Sequence, residues 1–357
     1  MTIAPGATLG ILGGGQLGRM IASAAARLGL KVHVYNDDPA SPAFEVAAFS
    51  TCASFEDAAA LEAFARAVNV VTYEFENVPS DAAALVSRFA PLRPGAQALA
   101  TAQDRLAEKS FVAGLGIETA PFAAIDDLAG LEAAVARMGR PCVLKTRRFG
   151  YDGKGQVTIR DGSDLAQAYE AIGRAPAILE GFVPFAGEYS VVAARGADGS
   201  FAAFELCENV HRDHILALTR VPADAADSTR DEAAAIARAI ADALDYVGVF
   251  AVELFLLREG DGAERLLVNE IAPRVHNSGH WTDSGAVTSQ FEQHVRAVCG
   301  WPLGSCARLG AVEMVNLVGD ACEKWRAILA DPAARLTLYG KAQARPGRKM
   351  GHVTYLR

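Results

Sequence analysis

Cysteine pairs and long apolar runs are both missing from this sequence of 357 residues. The six cysteines are scattered without a C-x-x-C pair, and several have apolar neighbours, as Cys142 does in Pro141-Cys142-Val143. This spacing indicates buried free thiols in a reducing compartment rather than a disulfide framework. No apolar stretch has the composition of a membrane span, and the N-terminal residues lack a basic signal-peptide segment. We therefore expect a cytoplasmic protein.

Positive charge is also in short supply. Lys plus Arg total 34 against 42 Asp plus Glu, which gives a formal charge of −8. A chain with this balance has no general attraction for nucleic acid or for an anionic membrane. Basic residues are concentrated in two short segments, Lys145–Arg148 and Arg345–Lys349. Each is short enough to be a substrate-phosphate site rather than a groove for a polyanion, so we expect small-molecule partners, with neither nucleic acid nor membrane among them.

Glycines and cations occur together in residues 145–156, KTRRFGYDGKGQ. Three glycines allow the backbone to turn tightly and to bring its N–H groups against an anion, while two lysines supply positive charge. The pattern predicts a phosphate-covering loop. Its spacing differs from that of a P-loop, and a basic surface turn would have the same composition.

An acidic β-hairpin is predicted about a hundred residues later, around Asp261-Gly262. This dipeptide favours a two-residue turn between two apolar, β-rich runs. With that turn, Arg258 pairs with Arg265. Counting back along both strands then places Glu253 opposite Glu270.

Two carboxylates facing each other need a compensating charge, because like charges directly opposite destabilise a strand pair. A hard divalent cation such as Mg²⁺ is the usual candidate, so we predict a metal site at Glu253 and Glu270. Alternation along the strand puts Asn269 on the opposite face from Glu270. In the alternative, one Glu is solvated or pairs with Arg274 or Arg258.

The N-terminal region carries a glycine fingerprint. Thr8–Leu12 is strand-like, Gly13–Gly18 fits G-x-G-x-x-G, and a helix over residues 19–28 leads to a second strand, Lys31–Tyr35. With an acidic residue about 20 positions on, this pattern is typical of NAD-dependent oxidoreductases. The same strand, turn and helix can also bind any phosphate at the helix N-terminus.

Breaks in the pattern divide the chain into three parts. The pattern over residues 1–95 predicts a doubly wound parallel sheet, and this part ends in a segment rich in Pro and Gly. Residues 96–300 mix antiparallel strands with helices, which is α+β, and include a subdomain at about 120–185. Residues 301–357 predict a small β-rich module. We also predict one helix over residues 98–113.

Polar side chains follow two predicted strands. Glu74 and Glu76 lie at the carboxyl end of the third parallel strand, where such folds place ligand contacts, although a solvated loop would look the same. Residues 269–281 form the densest polar stretch in the chain. Two histidines and an Asn in a loop that leaves the acidic hairpin suggest substrate contacts.

The chain resembles the ATP-grasp ligases and, nearly end to end, the family of 5-(carboxyamino)imidazole ribonucleotide synthases of de novo purine synthesis. The resemblance rests on GGGQLGRM at 13–20, EFENV at 74–78, GYDGKGQ at 150–156, NEIAPRVHNSGHWT at 269–282 and RPGRKMGH at 345–352. The last two motifs are long and specific to this family, whereas ATP-grasp proteins in general share the glycine loop. The resemblance implies a pre-ATP-grasp domain, an ATP-grasp domain with a lid, and a C-terminal module.

The resemblance also implies a role for each matching residue. The ATP contacts would be Arg105, Lys145, Gly150, Tyr151, Asp152, Gly153, Lys154, Gly155, Gln156, Glu180, Gly181, Phe182, Val183, Glu188, His211, Asn269 and Glu270. The ribonucleotide contacts would be Gln16, Leu17, Glu74, Tyr151, Asp152, Arg274, His276, Asn277, Arg348 and Lys349. Mg²⁺, with Mn²⁺ as an alternative, would bind Glu253 and Glu270, and the catalytic residues would be Asp152, Arg274 and Lys349. The N-terminal fingerprint becomes a substrate-phosphate site.

The implied reaction uses ATP and bicarbonate to carboxylate the exocyclic amine of 5-aminoimidazole ribonucleotide through carboxyphosphate, in a homodimer. Asp152 is our candidate for orienting the amine. Three alternatives stay open at this point. The chain could be another ATP-grasp carboxylate–amine ligase, such as a formate-using transformylase or a biotin carboxylase; an NAD-dependent oxidoreductase; or a nucleotide-binding regulatory module without turnover.

Overall fold

The computed structural model describes residues 1–150, 154–260 and 262–357. Within these ranges the strands are β1 Thr8–Leu12, β2 Lys31–Asn36, β3 Phe49–Cys52, β4 Val70–Tyr73, β5 Phe122–Ile125, β6 Cys142–Thr146, β7 Gln156–Ile159, β8 Ala177–Gly181, β9 Gly187–Arg195, β10 Phe201–Ala203, β11 Cys207–Arg212, β12 Ile215–Val221, β13 Gly248–Arg258, β14 Glu264–Ala272, β15 Val312–Val318, β16 Ala334–Leu338 and β17 Lys349–Leu356. The α-helices are α1 Gln16–Arg27, α2 Ala58–Arg66, α3 Ser80–Ser87, α4 Ala96–Ala102, α5 Arg105–Gly114, α6 Leu128–Met138, α7 Leu165–Ala171, α8 Asp227–Ala243, α9 Thr282–Gly285, α10 Gln290–Cys299 and α11 Trp325–Leu329. None of the helices in these ranges is both long and apolar enough to cross a bilayer.

The first sheet is parallel and has the order β3-β2-β1-β4. Its central strand β1 is apolar because it is covered on both faces, and Leu9 and Ile11 are fully buried. The chain enters α1 through the glycine turn, where Gly13 has a φ of 104° that favours glycine. The predicted doubly wound N-terminal region is confirmed.

A second sheet, β5-β8-β6-β7, is antiparallel and lies within the predicted lid region. Helices α6 and α7 supply the apolar side chains that pack with it, among them Leu131 and Tyr169 against Leu144 and Leu179. Pairing of β6 with β8 brings Lys145 near Glu180, since Val143 is directly opposite Glu180. This sheet therefore carries two of the predicted nucleotide contacts.

The third sheet is the largest and runs β14-β13-β9-β11-β12-β15-β17-β16, with β10 also paired to β9. The C-terminal strands join it through β12 and β15, where Thr219 is opposite Met314. The predicted β-rich C-terminal segment thus extends the central sheet, in which β9, β11, β12 and β15 lie between the acidic hairpin and β17. The boundaries at residues 95 and 300 stay predictions.

The single helix predicted over residues 98–113 is wrong. The structure has two helices, α4 and α5, separated at Asp104. The Asp104 side chain accepts hydrogen bonds from the backbone N–H groups of Leu106 and Ala107, at 2.9 and 3.1 Å. Such an N-cap begins a new helix, because it satisfies N–H groups that have no partner inside the helix.

The register predicted for the acidic hairpin is wrong next to the turn and right at the carboxylates. Arg258 pairs with Glu264 instead of Arg265, and the backbone N–H of Glu259 donates to the carbonyl of Ala263 at 2.9 Å. Asp261, in the predicted two-residue turn, lies outside the described residues. Further along, a β-bulge shifts the register by one residue, so that Glu253 faces Glu270 as predicted.

Candidate active site

A cavity of about 940 Å³ is lined by residues of the lid sheet and the large sheet, and by residues of α1 and of the segment that follows β4. Most of the predicted site residues line it, namely Gln16, Leu17, Glu74, Arg105, Lys145, Gly150, Gln156, Glu180, Gly181, Phe182, Val183, Glu188, His211, Glu253, Asn269, Glu270, Arg274, His276, Asn277 and Lys349. Lys154, Gly155 and Arg348 are described but do not belong to its lining. Tyr151, Asp152 and Gly153 lie outside the described residues. Sequence positions far apart therefore converge on one site.

The two facing carboxylates of the hairpin each have a cationic or ring N–H partner. Arg105 Nη1 lies 2.9 Å from Glu270 Oε2, and His276 Nε2 lies 3.0 Å from Glu253 Oε1. Burial alone would raise the pKa of Glu270, but the guanidinium of Arg105 lowers it to about 2. Among the described residues, neither carboxylate forms its ion pair with Arg258, which pairs with Asp224 and Glu264, or with Arg274, which pairs with Glu76. The charge of Arg274 nevertheless also acts on Glu270.

Asn269 is the extra residue of the β-bulge, and it lines the cavity together with Glu270. The predicted placement of Asn269 on the opposite face is wrong, because a bulge interrupts the alternation of side chains. Its Oδ1 atom is buried and has no hydrogen-bond partner among the described residues. An unpartnered amide oxygen on a residue that lines the same cavity as two carboxylates suits a hard cation such as Mg²⁺.

The protein supplies a small donor set for such a cation. Across the described parts of the chain, no group of three or more His, Cys, Asp or Glu residues is arranged to hold a metal ion. Mg²⁺ usually binds through one or two carboxylates and completes its shell with waters and substrate phosphates. The pair Glu253 and Glu270 fits that kind of site.

A second ionic cluster lies on the lid sheet. Lys145 Nζ lies 2.8 Å from Glu180 Oε2, and the buried Lys109 approaches the same oxygen at 3.9 Å. Burial would raise the pKa of Glu180, but the two ammonium groups lower it. The other oxygen, Oε1, is buried without a partner in the described structure, so it is available to a donor on a ligand.

Glu188 and His211 form a third pair on neighbouring strands β9 and β11. His211 Nδ1 lies 2.7 Å from Glu188 Oε2. Burial lowers the pKa of His211, and the hydrogen bond and charge of Glu188 raise it, with a net increase. Both side chains line the cavity.

Glu74 occupies the N-terminus of α1. Its carboxylate accepts hydrogen bonds from the backbone N–H groups of Gly15 and Gly18, the latter at 2.8 Å. A Cβ atom at Gly13 would lie 2.5 Å from Glu74 Cγ, so the glycine turn makes room for this side chain. Two of the amides at this helix N-terminus are therefore already used by a carboxylate, which disfavours an anion at these two groups, whether a dinucleotide phosphate or the substrate phosphate expected at this turn.

Arg274 and Asn277 extend from the polar loop after β14. Arg274 Nε donates to Glu76, and this guanidinium overcomes the effect of burial to lower the pKa of Glu76. Both polar side-chain atoms of Asn277 are buried without a protein partner in the described ranges. Such a residue at a cavity wall suits a ligand that both donates and accepts hydrogen bonds.

Sequence reasoning missed several charged residues around the site. Glu108 accepts a hydrogen bond from the Ile271 N–H, and burial together with the charge of Glu270 raises its pKa to about 8. Lys341 donates to the Lys349 carbonyl at 2.8 Å, and burial lowers its pKa to about 8. From the local sequence alone, each would be taken for an exposed, solvated charge. No local pattern therefore identifies either one as a residue near the site.

Comparison with known proteins agrees with this architecture. The family model described as "ATP-grasp domain" matches residues 110–291, "Ribonucleotide synthetase preATP-grasp domain" matches 6–103, and "Phosphoribosylaminoimidazole carboxylase C-terminal domain" matches 313–357. The chain is therefore an ATP-grasp protein.

Relatives that align with nearly the whole chain show which family of ATP-grasp proteins it belongs to. The N5-carboxyaminoimidazole ribonucleotide synthase of Brucella melitensis biotype 1 is 49% identical over 358 residues, which cover 100% of this chain and 98% of the relative. That of Bacillus subtilis (strain 168) is 42% identical and covers 99% and 93%. The chain belongs to the N5-carboxyaminoimidazole ribonucleotide synthase family.

Solved structures of this family share the fold. An N5-carboxyaminoimidazole ribonucleotide synthetase crystallised as its ADP complex has a TM-score of 0.95 and 41% identity, covering 100% of this chain and 94% of its own. The Aspergillus clavatus enzyme in complex with ADP and 5-aminoimidazole ribonucleotide has a TM-score of 0.91 and 32% identity, covering 99% and 94%.

Proposed function

We propose that the protein carboxylates the exocyclic amine of 5-aminoimidazole ribonucleotide in de novo purine synthesis, using ATP and bicarbonate and releasing ADP and phosphate. The observation that carries this proposal is the meeting of Glu253 and Glu270 in a cavity that also contains Lys145 and Arg274. Family membership and the relative crystallised with ADP and 5-aminoimidazole ribonucleotide support the choice of substrates.

The nucleotide would lie between the lid sheet and the large sheet. Arg105 and Lys145 would meet the phosphates, together with the loop from Gly150 to Gln156. The segment 180–183 would meet the adenine, where the unpartnered Glu180 Oε1 supports a donor on the base. Glu188 and His211 would meet the ribose.

Glu253 and Glu270 would hold Mg²⁺ or Mn²⁺, with the Asn269 amide oxygen beside them. When bound, the cation withdraws negative charge from the transferring phosphoryl group. The depressed pKa of Glu270 keeps that carboxylate ionised and ready to ligate. The protein's own part is to hold the two carboxylates in register, which the bulge in β14 does.

The reaction would proceed in two chemical stages. A bicarbonate oxygen attacks the γ-phosphorus and the bond to ADP breaks, giving carboxyphosphate. Carboxyphosphate releases CO₂ and phosphate, and the ribonucleotide amine attacks the CO₂ carbon and loses a proton. Arg274 and Lys349 would neutralise oxygen charge during both stages, and water has to be excluded because carboxyphosphate hydrolyses readily.

The ribonucleotide would lie against the opposite wall. Gln16, Leu17 and Glu74 line it near the α1 N-terminus, and His276 and Asn277 line it near the hairpin. The two unpartnered atoms of Asn277 support a polar ligand there. We retain Asp152 as the candidate that orients the amine; an Asp152→Ala variant should keep ATP affinity and lose carboxylation.

Phosphate release from MgATP tests the function directly. We expect release to require both 5-aminoimidazole ribonucleotide and bicarbonate, and omission of either should return it to background. Release that ignores the ribonucleotide would contradict the proposal. We also propose a cytoplasmic homodimer; the six free cysteines support a reducing compartment, and sedimentation would test the assembly.

A further inference from the structure

A chain of buried hydrogen bonds runs through the large sheet to His276. Thr219 Oγ1 donates to Asn209 Oδ1 at 2.9 Å, and Asn209 Nδ2 donates to Ser190 Oγ at 2.9 Å. Ser190 Oγ donates to Ser278 Oγ at 2.7 Å, and Ser278 Oγ lies 2.8 Å from His276 Nδ1. The four residues before His276 are 7% exposed or less. None of them has a role in the function proposed above.

The contacts at Nδ1 indicate which ring nitrogen of His276 carries the proton. The backbone N–H of Ser278 also points to His276 Nδ1, at 3.4 Å. A backbone N–H can only donate, so Nδ1 is the acceptor in this contact and carries no proton, and the Ser278 hydroxyl can donate its own hydrogen to the same nitrogen. In the neutral ring the proton is then on Nε2, which donates to Glu253 Oε1 at 3.0 Å inside the cavity.

The backbone of His276 is held by different contacts. Its N–H donates to Gln290 Oε1 at 2.9 Å, and Gln290 Nε2 donates to its carbonyl at 2.7 Å. Loss of the Ser278 hydroxyl would leave this two-point clamp intact. The hydroxyl therefore acts on the orientation of the ring and not on the position of the loop.

We infer that Ser278 and Ser190 are positioning residues for the reaction, which hold the His276 imidazole with Nε2–H directed into the cavity. A ring free to turn about its χ2 angle would present a carbon or a bare nitrogen to an anionic substrate oxygen for part of the time. Fixed buried hydrogen bonds remove those orientations before the substrate arrives. The identity of the substrate rests on the proposed function.

The first test compares Ser278→Ala with Thr229→Val. Thr229 Oγ1 donates to Glu264 Oε2 at 2.7 Å, so this control also loses one buried hydroxyl bond, away from His276. We expect Ser278→Ala to lower kcat for ribonucleotide-dependent phosphate release by roughly 10- to 100-fold, with the KM for ATP unchanged. Ser190→Ala should change kcat in the same direction by less. Wild-type kcat in Ser278→Ala, or an equal loss in Thr229→Val, would overturn the inference.

The second test needs no substrate. Nitrogen-15 NMR of histidine-labelled protein at about pH 8, above the ordinary histidine pKa, reads the tautomer, and His276→Gln assigns the signal. We expect Nδ1 bare and Nε2 protonated in the wild type, and a mixture in Ser278→Ala. A protonated Nδ1 in the wild type would overturn the inference. Because this readout is independent of turnover, failure of the proposed function would show only in the phosphate assay.

Discussion

Glu253 lies opposite Glu270 because one extra residue, Asn269, interrupts β14. Close to the turn, Arg258 pairs with Glu264, and that register continued without a bulge would have placed Glu253 opposite Asn269. The bulge therefore does two things. It brings the carboxylates together, and it turns the Asn269 amide to the cavity.

Removing either carboxylate should abolish most of the activity. We expect Glu253→Gln and Glu270→Gln to lower phosphate release from MgATP on the order of 100-fold or more, because a bound cation supplies several kcal/mol of charge stabilisation. Glu313→Gln, whose partners are Arg220 and Arg357 in the C-terminal part of the sheet, is the matched control. Near-normal release in the Glu270 variant would argue against the metal site.

The glycine turn can be tested with two alanine substitutions. Gly6 and Gly13 both have positive φ, of 88° and 104°, but a Cβ at Gly6 meets no described atom within 4 Å, whereas one at Gly13 meets Glu74. Gly6→Ala should lower the free energy of unfolding by about 1 kcal/mol through backbone strain alone. Gly13→Ala should lower it by about 2–3 kcal/mol, since steric overlap adds to the strain. Urea unfolding of both measures the difference, and equal losses would show that Glu74 moves aside freely.

Replacement by alanine should mainly lower stability at Asn209 and mainly weaken ribonucleotide binding at Asn277. Asn209 has protein partners on both side-chain atoms, so Asn209→Ala should lower the free energy of unfolding by about 1–3 kcal/mol. Asn277 has none among the described residues, so Asn277→Ala should change it by less than about 0.5 kcal/mol. The same change should raise the KM for the ribonucleotide roughly tenfold, the effect of one lost hydrogen bond. A strongly destabilised Asn277→Ala protein would mean that the side chain serves the fold.

Glu188→Gln should alter the pH dependence of stability. The pKa of His211 is raised in the folded protein, so the stabilisation is fully present below the unfolded pKa of about 6.5 and is lost as pH rises through the folded pKa. At about pH 5.5 the variant should be less stable than wild type by about 1 kcal/mol, a value limited by partial solvent exposure. Denaturation at about pH 5.5 and near pH 9 measures the difference in the free energy of unfolding between wild type and variant, and we expect this difference to be smaller at the higher pH. A gap of equal size at both pH values would exclude the ionic contribution.

Local pattern was enough for strands β1, β2 and β4 of the parallel N-terminal sheet, whereas β3 and the lid strand β5 were not predicted. The set of residues expected at one site came from the resemblance to a known family. These features depend on periodicity, on glycine turns and on long motifs. The predicted pairing of Glu253 with Glu270 is right although the predicted pairing of Arg258 with Arg265 is wrong, because the bulge compensates for the register error. A single residue inserted into a strand leaves no recognisable pattern in the sequence. Counting positions back from the turn could therefore not reveal the bulge.

The buried charges show a second limit. Glu108 and Lys109 read as the polar face of an amphipathic helix, yet both are almost fully buried. Their partners, the backbone N–H of Ile271 for Glu108 and the carboxylate of Glu180 for Lys109, come from other elements far along the chain. Whether a charged side chain can be buried depends on such partners from distant parts of the chain. The periodicity of a helix does not indicate which partners those are.

The fate of bicarbonate oxygen tests the central claim most directly. With ¹⁸O-labelled bicarbonate, MgATP and 5-aminoimidazole ribonucleotide, attack of bicarbonate on the γ-phosphorus transfers one labelled oxygen to the phosphate released. Mass spectrometry of that phosphate should therefore show one ¹⁸O per turnover. Phosphate without label, formed at the same rate, would mean that water is the nucleophile and would contradict activation of bicarbonate at this site.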